Sequence, residues 1–453
     1  MKRLMPARKL EWSWILYDVG NSAFTLLISA IMPIYFNSYL AANAGIGETT
    51  AGSYWGFATA IVTICVAVLS PIFGTLSDFK GYKRPIFLFF AVMGVIGCAA
   101  LGIPMPWLVF LIVFVITKIF YSGSLVFYDA MLVDMASPAR TDIVSSKGYA
   151  WGYIGSCIPF IISILIVNFS PLETAVSMPI ATVINAVWWI GFTIPLMKNY
   201  KQTHFVPRTP HAIRDNFRRL FSVFSKKSAI PNKKGIILFL IAFFLYIDGV
   251  YTVIDMATTF GTAIFPDDGN RDTQLVLALL LTQFIAFPAA IVMGKLADKV
   301  RIELLILISI VAYTGIALFA VFMYEIWQFW MLAVAVGLFQ GGVQALSRSY
   351  FAKIIPPDQS GCLFGILDIF GKGASFLGTL LSSIIMNTTG SANLAAIPIA
   401  CLLAAGVAVF LIAARINRPY LAKKAKEEQE TNGEPASDPA DTPDISDAEI
   451  QQS

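Results

Sequence analysis

Residues Gly74 to Arg84 read GTLSDFKGYKR, and residues Gly294 to Val300 read GKLADKV. Both segments have the form G-x-L-x-D followed by basic residues, and each comes after a long apolar run. A repeat of this kind predicts a chain built from two related halves. Because a glycine lets two helices approach closely and an aspartate at a helix end favours the dipole of a neighbouring helix, we expect these turns to form a gate. The residues assigned to that gate are Gly74, Asp78, Gly81, Lys83, Arg84, Gly294 and Asp298.

The apolar runs around these turns are long enough to cross a membrane. The chain has 453 residues, of which 57% are hydrophobic and 13% charged, whereas soluble domains are about 45–50% apolar and about 25% charged. A membrane-spanning helix needs roughly 20 apolar residues. We therefore predict an all-α membrane protein with twelve transmembrane helices, at approximately 14–40, 51–77, 86–103, 107–134, 147–168, 176–197, 235–260, 273–294, 303–323, 326–346, 361–386 and 392–414.

Lysine and arginine residues are concentrated in alternate loops. The N-terminus, the central segment, the C-terminus and the loops on the same side hold 29 of the 32. By the positive-inside rule, that side faces the cytoplasm and both termini are cytoplasmic.

The chain divides into four segments. Residues 1–197 and 235–414 each hold six of the predicted spans. The segment 198–234 is a cytoplasmic linker that contains HAIRDNFRRLFSVFSKK, a pattern typical of an amphipathic helix on the inner leaflet. This helix is interpreted as a connection between the halves, with a regulatory role as the alternative. Residues 415–453 are predicted to be a disordered acidic tail, because from Glu427 onward it has nine acidic residues and no basic one.

Charged and amide side chains inside the spans are candidates for solute or ion binding. A charge in the bilayer costs roughly 2.5–3.5 kcal/mol on insertion scales, so each one needs a partner or a function. The candidates are Asp18, Asn21, Lys118, Asp129, Asp248, Asp255, Gln340, Gln344, Asp368 and Lys372.

Asp18 and Asp248 occupy related places in the first and seventh spans, each shortly after a Leu-Tyr pair. We expect them to face each other across the pseudo-symmetry axis. One hypothesis is that one of them takes up a proton or helps to bind a cationic group. The alternative is a structural carboxylate, bonded to a neighbouring helix end or to Asn21.

Lys118 and Asp129 are eleven residues apart, nearly three helical turns, so they share a face without touching. Each needs a partner on another helix or water, and Lys118 is a candidate anchor for a solute carboxylate. Asp368 and Lys372 are spaced i, i+4 and are expected to neutralise each other rather than contact the solute.

The tenth span contributes two amides and an arginine. Gln340 and Gln344 are one turn apart and are expected to face the cavity. Arg348 is assigned to the cytoplasmic gate, where we expect it to pair with a loop acid or a helix C-terminus.

Four further segments narrow the assignment. They read WILYDVGNSAF (Trp14 to Phe24), SSKGYAWGYIG (Ser145 to Gly155), GGVQALSRSYFAKIIP (Gly341 to Pro356) and FGILDIFGKGASFLG (Phe364 to Gly378). With the two G-x-L-x-D turns, they make the chain resemble the major facilitator superfamily, and within it the vacuole-effluxer-like branch named for fungal vacuolar amino-acid exporters. The resemblance implies two pseudo-symmetric six-helix bundles that rock about a central cavity. It also implies an amino acid or similar small zwitterion as the solute.

The chain departs from that branch at three positions. Val19, Asp129 and Val133 stand where an aromatic residue, an amide and a proline are more usual.

The sequence favours a gradient-driven secondary transporter over an enzyme. There is no nucleotide-binding G-x-x-x-x-G-K-[ST] loop, no G-x-S-x-G element, and both histidines, His204 and His211, lie in the linker. We therefore expect no catalytic residue, metal or cofactor. Two alternatives stay open, an exporter of lipophilic drugs or lipids and a membrane receptor that does not transport.

The expected partners are a small-molecule solute, a coupling proton and the lipid bilayer, with no nucleic acid. We expect a monomer in a bacterial cytoplasmic membrane.

Overall fold

The computed structural model describes residues 7–207, 230–266 and 270–432. Within those ranges the side chains of a few residues, including 372–376, lie outside the description. The amphipathic helix predicted within the linker falls on residues 208–229 and is therefore also outside it.

The described chain is built from long helices joined by short turns. We number them α1 to α12 in chain order. They are α1 (Ala7–Leu26), α2 (Glu48–Ser77), α3 (Lys83–Ala100), α4 (Trp107–Met135), α5 (Thr141–Phe169), α6 (Thr174–Asn199), α7 (Lys233–Ile264), α8 (Arg271–Leu296), α9 (Ile302–Ala320), α10 (Ile326–Ile354), α11 (Ser360–Thr389) and α12 (Ile397–Asn432).

The first helix continues beyond Leu26 in a wider winding. Two π-helical stretches, Leu27–Ile31 and Phe36–Ala41, flank the short α-helical segment Met32–Tyr35. Pro33 lies in that segment and has no N–H to donate, and a local π-helical adjustment can re-satisfy the backbone groups that a proline leaves unpaired in a membrane helix. The first predicted span is thus continuous to Ala41 although its winding is irregular.

Eleven helices of the described part are long and apolar enough to cross a membrane. The remaining predicted span falls on α11, where the described side chains give only a shorter apolar stretch, Leu377–Met386. Large apolar side chains cover the outside of the helices, as a lipid-facing surface requires.

The two halves meet through a small set of helices. Helix α2 packs against α11, and α5 packs against α8 and α10. The close approaches between these helices lie near the turns that carry most of the lysine and arginine. We call this side the basic end of the molecule.

The first part of the predicted tail is helical. Residues 415–432 continue α12 as a helix, whereas the sequence placed them in a disordered tail. Alanine, lysine and glutamate favour helix here, and Lys423 pairs with Glu427 one turn later at 3.6 Å. Residues 433–453 lie outside the described part of the chain.

Candidate functional site

Arg348 of α10 binds two carboxylates of the other half. Its guanidinium Nη1 lies 3.0 Å from Oδ1 of Asp129, and Nη2 lies 3.5 Å from Oδ2 of Asp18. It also donates to the hydroxyl and the carbonyl oxygen of Ser145, each at 3.0 Å. We call Arg348, Asp18 and Asp129 the arginine latch. The predicted partner of Arg348, a loop acid or a helix C-terminus, is wrong, because Arg348 pairs with acids inside the spans.

Aromatic rings enclose the arginine latch. The guanidinium carbon lies 4.3 Å from the ring centre of Tyr149 and 4.6 Å from that of Trp14. The Trp14 indole N–H is held by the carbonyl of Tyr128, and the two rings stack. A guanidinium between aromatic faces is stabilised by cation–π attraction, which grows when water is excluded. Arg348 is therefore held in one place by both hydrogen bonds and packing.

The arginine latch contains one positive and two potentially negative groups. Arg348 and Asp18 are buried, whereas the Asp129 side chain is 29% exposed. One guanidinium cannot neutralise two carboxylates, and the charge left over is costly where it is shielded from water. A proton bound by one of the carboxylates would remove the imbalance.

The first G-x-L-x-D turn holds the end of α11. The Asp78 carboxylate accepts the backbone N–H of Gly361 at 2.7 Å and that of Cys362 at 3.0 Å. These donors belong to the first turn of α11, where free N–H groups and the helix dipole favour a negative charge. Asp78 is fully buried, so its bonds to the other half are shielded from water.

Glycine makes this contact possible. A Cβ atom built on Gly74 would lie 2.3 Å from the carbonyl oxygen of Gly361, closer than real Cβ atoms come to another backbone. The turn itself needs Gly81, whose φ of +80° suits glycine. Both glycines are therefore required by geometry.

Lys83 bridges the halves beside Asp78. Its side chain is fully buried, donates to the Ser360 hydroxyl of α11 at 2.8 Å, and lies 3.7 Å from the Asp134 carboxylate of α4. A second bridge joins Lys353 of α10 to Asp142 of α5 at 2.5 Å. Arg84, by contrast, is exposed.

The second G-x-L-x-D turn makes a different contact. A Cβ on Gly294 would lie 2.5 Å from that of Ser146, so α8 and α5 also meet closely at a glycine. Asp298, however, is exposed and acts electrostatically on Arg140. The two turns are alike in sequence and in position, while only Asp78 is buried on a helix end.

The start of the linker is tied to the first turn. The Gln202 amide accepts the N–H of Gly81 at 2.8 Å and donates to the carbonyl oxygen of Ser77 at 3.1 Å. The backbone of Val206 bonds on both sides of the same turn, donating to Asp78 and accepting from Lys80. We call residues 200–206 the strap.

Asp134 fixes the other side of the strap. It accepts hydrogen bonds from the Tyr200 hydroxyl at 2.6 Å, the Thr203 hydroxyl at 2.7 Å and the His204 backbone N–H at 2.9 Å. Burial and the neighbouring carboxylate raise the pKa of Tyr200 well above its usual value, so its hydroxyl stays protonated and donates. The strap thus contacts both Asp134 and the first G-x-L-x-D turn.

Charged groups of both halves converge further from the basic end. Lys118 of α4 attracts the carboxylate of Asp255 on α7, and its Nζ lies 5.6 Å from the Tyr121 ring centre. The Tyr251 hydroxyl is within electrostatic range of three carboxylates, from both halves. Asp255 is exposed and the others are half-buried, so water reaches them. We call the group formed by Lys118, Asp129, Tyr251, Asp255 and Asp368 the central cleft.

The remaining candidates lie in three places. Asp368 accepts a hydrogen bond from the Ser70 hydroxyl at 2.7 Å, while the side chain of Lys372 is outside the described residues. Gln344 accepts a hydrogen bond from the Tyr153 hydroxyl across the two halves at 2.9 Å. Asn21 lies beside the latch and donates to Asp18 at 3.4 Å.

Asp248 lies away from the arginine latch. Its Oδ1 accepts the backbone N–H of Gly378 on α11 at 3.0 Å, and the side chain is fully buried. The expectation that it faces Asp18 is therefore wrong, because Asp18 is held by Arg348 and Asp248 by α11. Gln340 was likewise expected at the central cavity, but it lines a separate cavity inside the second half.

Several residues that build the site were not singled out from the sequence. Asp134 and Asp142 end or begin helices at the basic end, a position where an acid can always be a cap or a surface charge. Ser145 and Gln202 give no signal alone, because only the packing of distant helices makes them partners. An aromatic residue one turn before Asp18, Trp14, is the one feature that would have suggested a cation nearby.

Residues 6–418 match the protein-family model described as vacuole effluxer Atg22 like. An uncharacterized MFS-type transporter of Bacillus subtilis (strain 168), YxiO, is 38% identical over 409 residues, which cover 88% of this chain and 94% of that protein. Autophagy-related protein 22-2 of Aspergillus clavatus is 28% identical over 268 residues, which cover 54% of this chain and 44% of the fungal protein.

Among solved structures, the major facilitator transporter FucP in its outward conformation aligns with a TM-score of 0.66. The alignment covers 91% of this chain and 99% of FucP at 14% sequence identity. At that identity the likeness shows the fold alone, two six-helix halves of the major facilitator type.

Proposed function

Because this chain belongs to the Atg22-like family of major facilitator transporters, which are not enzymes, we propose that its solute is an amino acid or similar small zwitterion. We further propose that transport is coupled to protons and proceeds by alternating access. The observation that carries the proposal is the central cleft, where a lysine and several carboxylates from both halves meet in reach of water.

The charges of the central cleft complement a zwitterion. Lys118 can pair with a solute carboxylate, and Asp255 can take the solute ammonium in its place. A bound zwitterion would therefore form one ion pair with each of the two residues. Since Lys118 belongs to the first half and Asp255 to the second, the solute would link the two halves across the cleft.

We assign the basic end to the cytoplasm, as the distribution of lysine and arginine predicts. In this arrangement the cytoplasmic side is closed by Asp78, Lys83, Lys353 and the arginine latch, and Asp255 is exposed towards the opposite side. To release a solute into the cytoplasm, these contacts between the halves must break.

The arginine latch couples this opening to a proton. Protonation of Asp129, the more exposed of its two carboxylates, weakens the bond to Arg348 and frees α10 from α4. The neighbouring groups that interact with it electrostatically, besides Arg348, are Asp18 on α1, the Tyr149 hydroxyl on α5 and Asp368 on α11. Low pH on the side opposite the basic end, from which the solute enters, should therefore favour release of the arginine latch.

The proposal is tested with proteoliposomes and a labelled amino-acid mixture, with and without an imposed pH gradient. We expect the gradient to stimulate uptake by the wild type. Asp129→Asn should abolish that stimulation, while Glu173→Gln, a change at an exposed acid far from the basic end, should leave it intact. No uptake by folded protein in either condition would reject an amino-acid solute and favour the lipophilic-efflux alternative.

Lys118→Gln tests the solute site separately from the proton. We expect a roughly tenfold weaker apparent affinity for zwitterionic and anionic solutes, since one charged hydrogen bond is worth about 1.5–3 kcal/mol. Lys118→Arg should recover part of the affinity. Equal losses for cationic solutes would argue that Lys118 has only a structural role.

A further inference from the structure

The second half contains a cavity that is separate from the central cleft. It has a volume of about 80 Å³ and is bounded by α7, α8, α9, α10 and the start of α12. Every wall therefore belongs to one half, so the cavity is not on a path between the halves.

Most of the wall is apolar. Phe260, Leu279, Ile316, Ala333 and Val336 are typical lining residues. Water would be poorly held here, because a buried water needs two to four polar partners. The polar residues in the wall are Thr282, Gln283 and Gln340. Gln283 is only half-buried, and the Thr282 hydroxyl donates to the carbonyl oxygens of Ala278 and Ala333, at 3.0 and 3.2 Å.

Gln340 supplies an unused hydrogen-bonding group. Its side chain lines the cavity and the residue is only 5% exposed. The Oε1 atom is buried with no hydrogen-bond partner within the described structure. A buried acceptor without a partner is unfavourable, so a ligand that donates a hydrogen bond would stabilise this arrangement.

We propose that this cavity is a binding site for a small amphiphile, an aliphatic alcohol with a short straight chain. The alkyl chain packs against the apolar wall and the hydroxyl bonds to the Gln340 amide. The size limits the class to an alcohol about as large as ethanol, since a dry cavity of about 150 Å³ holds a benzene ring and this one has roughly half that volume. A hydroxyl can donate or accept, so it satisfies the amide in either orientation.

The site bears on transport through α10. Gln340, Gln344 and Arg348 follow one another at intervals of one turn, so an occupant touches the helix that carries the arginine latch. The occupant is a ligand of the second half and is distinct from the zwitterion proposed above.

The test compares ethanol with ethyl fluoride, which has a similar shape and no donor. Binding to the full-length protein in detergent micelles is measured by saturation-transfer NMR. We expect the alcohol to bind roughly two- to tenfold more tightly, the value of one hydrogen bond. Gln340→Leu should abolish that preference while the fluoride still binds.

Ala333→Leu gives the second arm, because its larger side chain fills the space. It should block both probes and raise the thermal unfolding temperature. If this variant does not fold, Val336→Phe serves the same purpose. Equal binding of both probes to the wild type would overturn the proposal. So would binding that neither Gln340→Leu nor Ala333→Leu changes. Because no measurement here involves transport, this outcome is independent of the proposed solute.

Discussion

A single guanidinium holds together parts of the chain that are far apart in sequence. Arg348 and Asp18 are separated by 330 residues, and the arginine is enclosed by two aromatic rings and bonded to three neighbours. Such a residue cannot be replaced by another cation without loss, because lysine offers neither the planar fork nor the stacking surface. The closed state of the basic end depends on it more than on any exposed ion pair there.

We predict that Arg348→Gln opens the basic end. Without the guanidinium, Asp18 and Asp129 face each other in a buried place, which destabilises the closed arrangement. Cys362 is 1% exposed beside Asp78, so its reaction with a thiol reagent reports the opening. In a background with the other cysteines replaced by alanine, labelling should be at least about tenfold faster.

The control for this measurement is Arg301→Gln. Arg301 lies at the same end but its side chain is 55% exposed, at 3.8 Å from Glu303. Its loss should leave the labelling of Cys362 unchanged. Equal acceleration by both variants would mean that net charge, and not the latch, controls the opening.

At the level of the helices, the contact of α2 with α11 depends on two backbones touching. Gly74 and Gly361 face each other so closely that a methyl group on either would collide with the carbonyl of its partner. Asp78, one turn beyond Gly74, can reach the first N–H groups of α11 only because of this approach. Here the glycine controls whether the electrostatic contact forms.

Gly74→Ala should therefore separate α2 from α11 and accelerate the labelling of Cys362. Gly56→Ala is a matched control in the same helix, because a Cβ there meets nothing within 4 Å. Alanine is the better helix former by about 0.5–1 kcal/mol, so the control should be neutral or slightly stabilising. A similar effect of both substitutions would assign the change to helix propensity.

The strap gives a further prediction for an element. Gln202→Ala removes the amide that bonds to both Gly81 and Ser77, which loosens the turn that positions Asp78. We expect a modest increase in the labelling of Cys362, about two- to fivefold, as for one or two lost hydrogen bonds. Lys201→Ala, at the exposed neighbouring residue, should show none. An unchanged rate in Gln202→Ala would mean that Asp78 is positioned by α2 alone.

For the whole molecule, the sequence predicted the repeated local patterns well and the contacts between distant helices poorly. The spans and the two G-x-L-x-D turns follow from local patterns, and the family is confirmed by the match over residues 6–418. Asp129 was rightly expected to have a partner on another helix. That this partner is Arg348, and that Asp255 is a carboxylate within the electrostatic range of Lys118, depends on how the helices pack, which spacing along one helix does not determine.

The exposure of the two ends predicts reciprocal behaviour. In this arrangement Asp255 is exposed while Cys362 is buried. In an Asp255→Cys variant, the new thiol should react readily with a membrane-impermeant thiol reagent added on the side opposite the basic end. Arg348→Gln should slow that reaction as it speeds the labelling of Cys362. If the substitution accelerates labelling at both positions, the fold has loosened. It has then not switched from a state closed at the basic end to a state closed at the opposite end.

The strap also determines where the polypeptide can be interrupted. Since residues 200–206 are bonded to Asp134 and to the first turn, the connection between the halves effectively starts after Val206. Two genes divided between 208 and 229 should therefore yield fragments that assemble into an active transporter. A division before Tyr200 leaves the strap on the fragment that carries the second half, although its contacts lie in the first half. Such fragments should assemble poorly. Co-purification of the two fragments measures the difference.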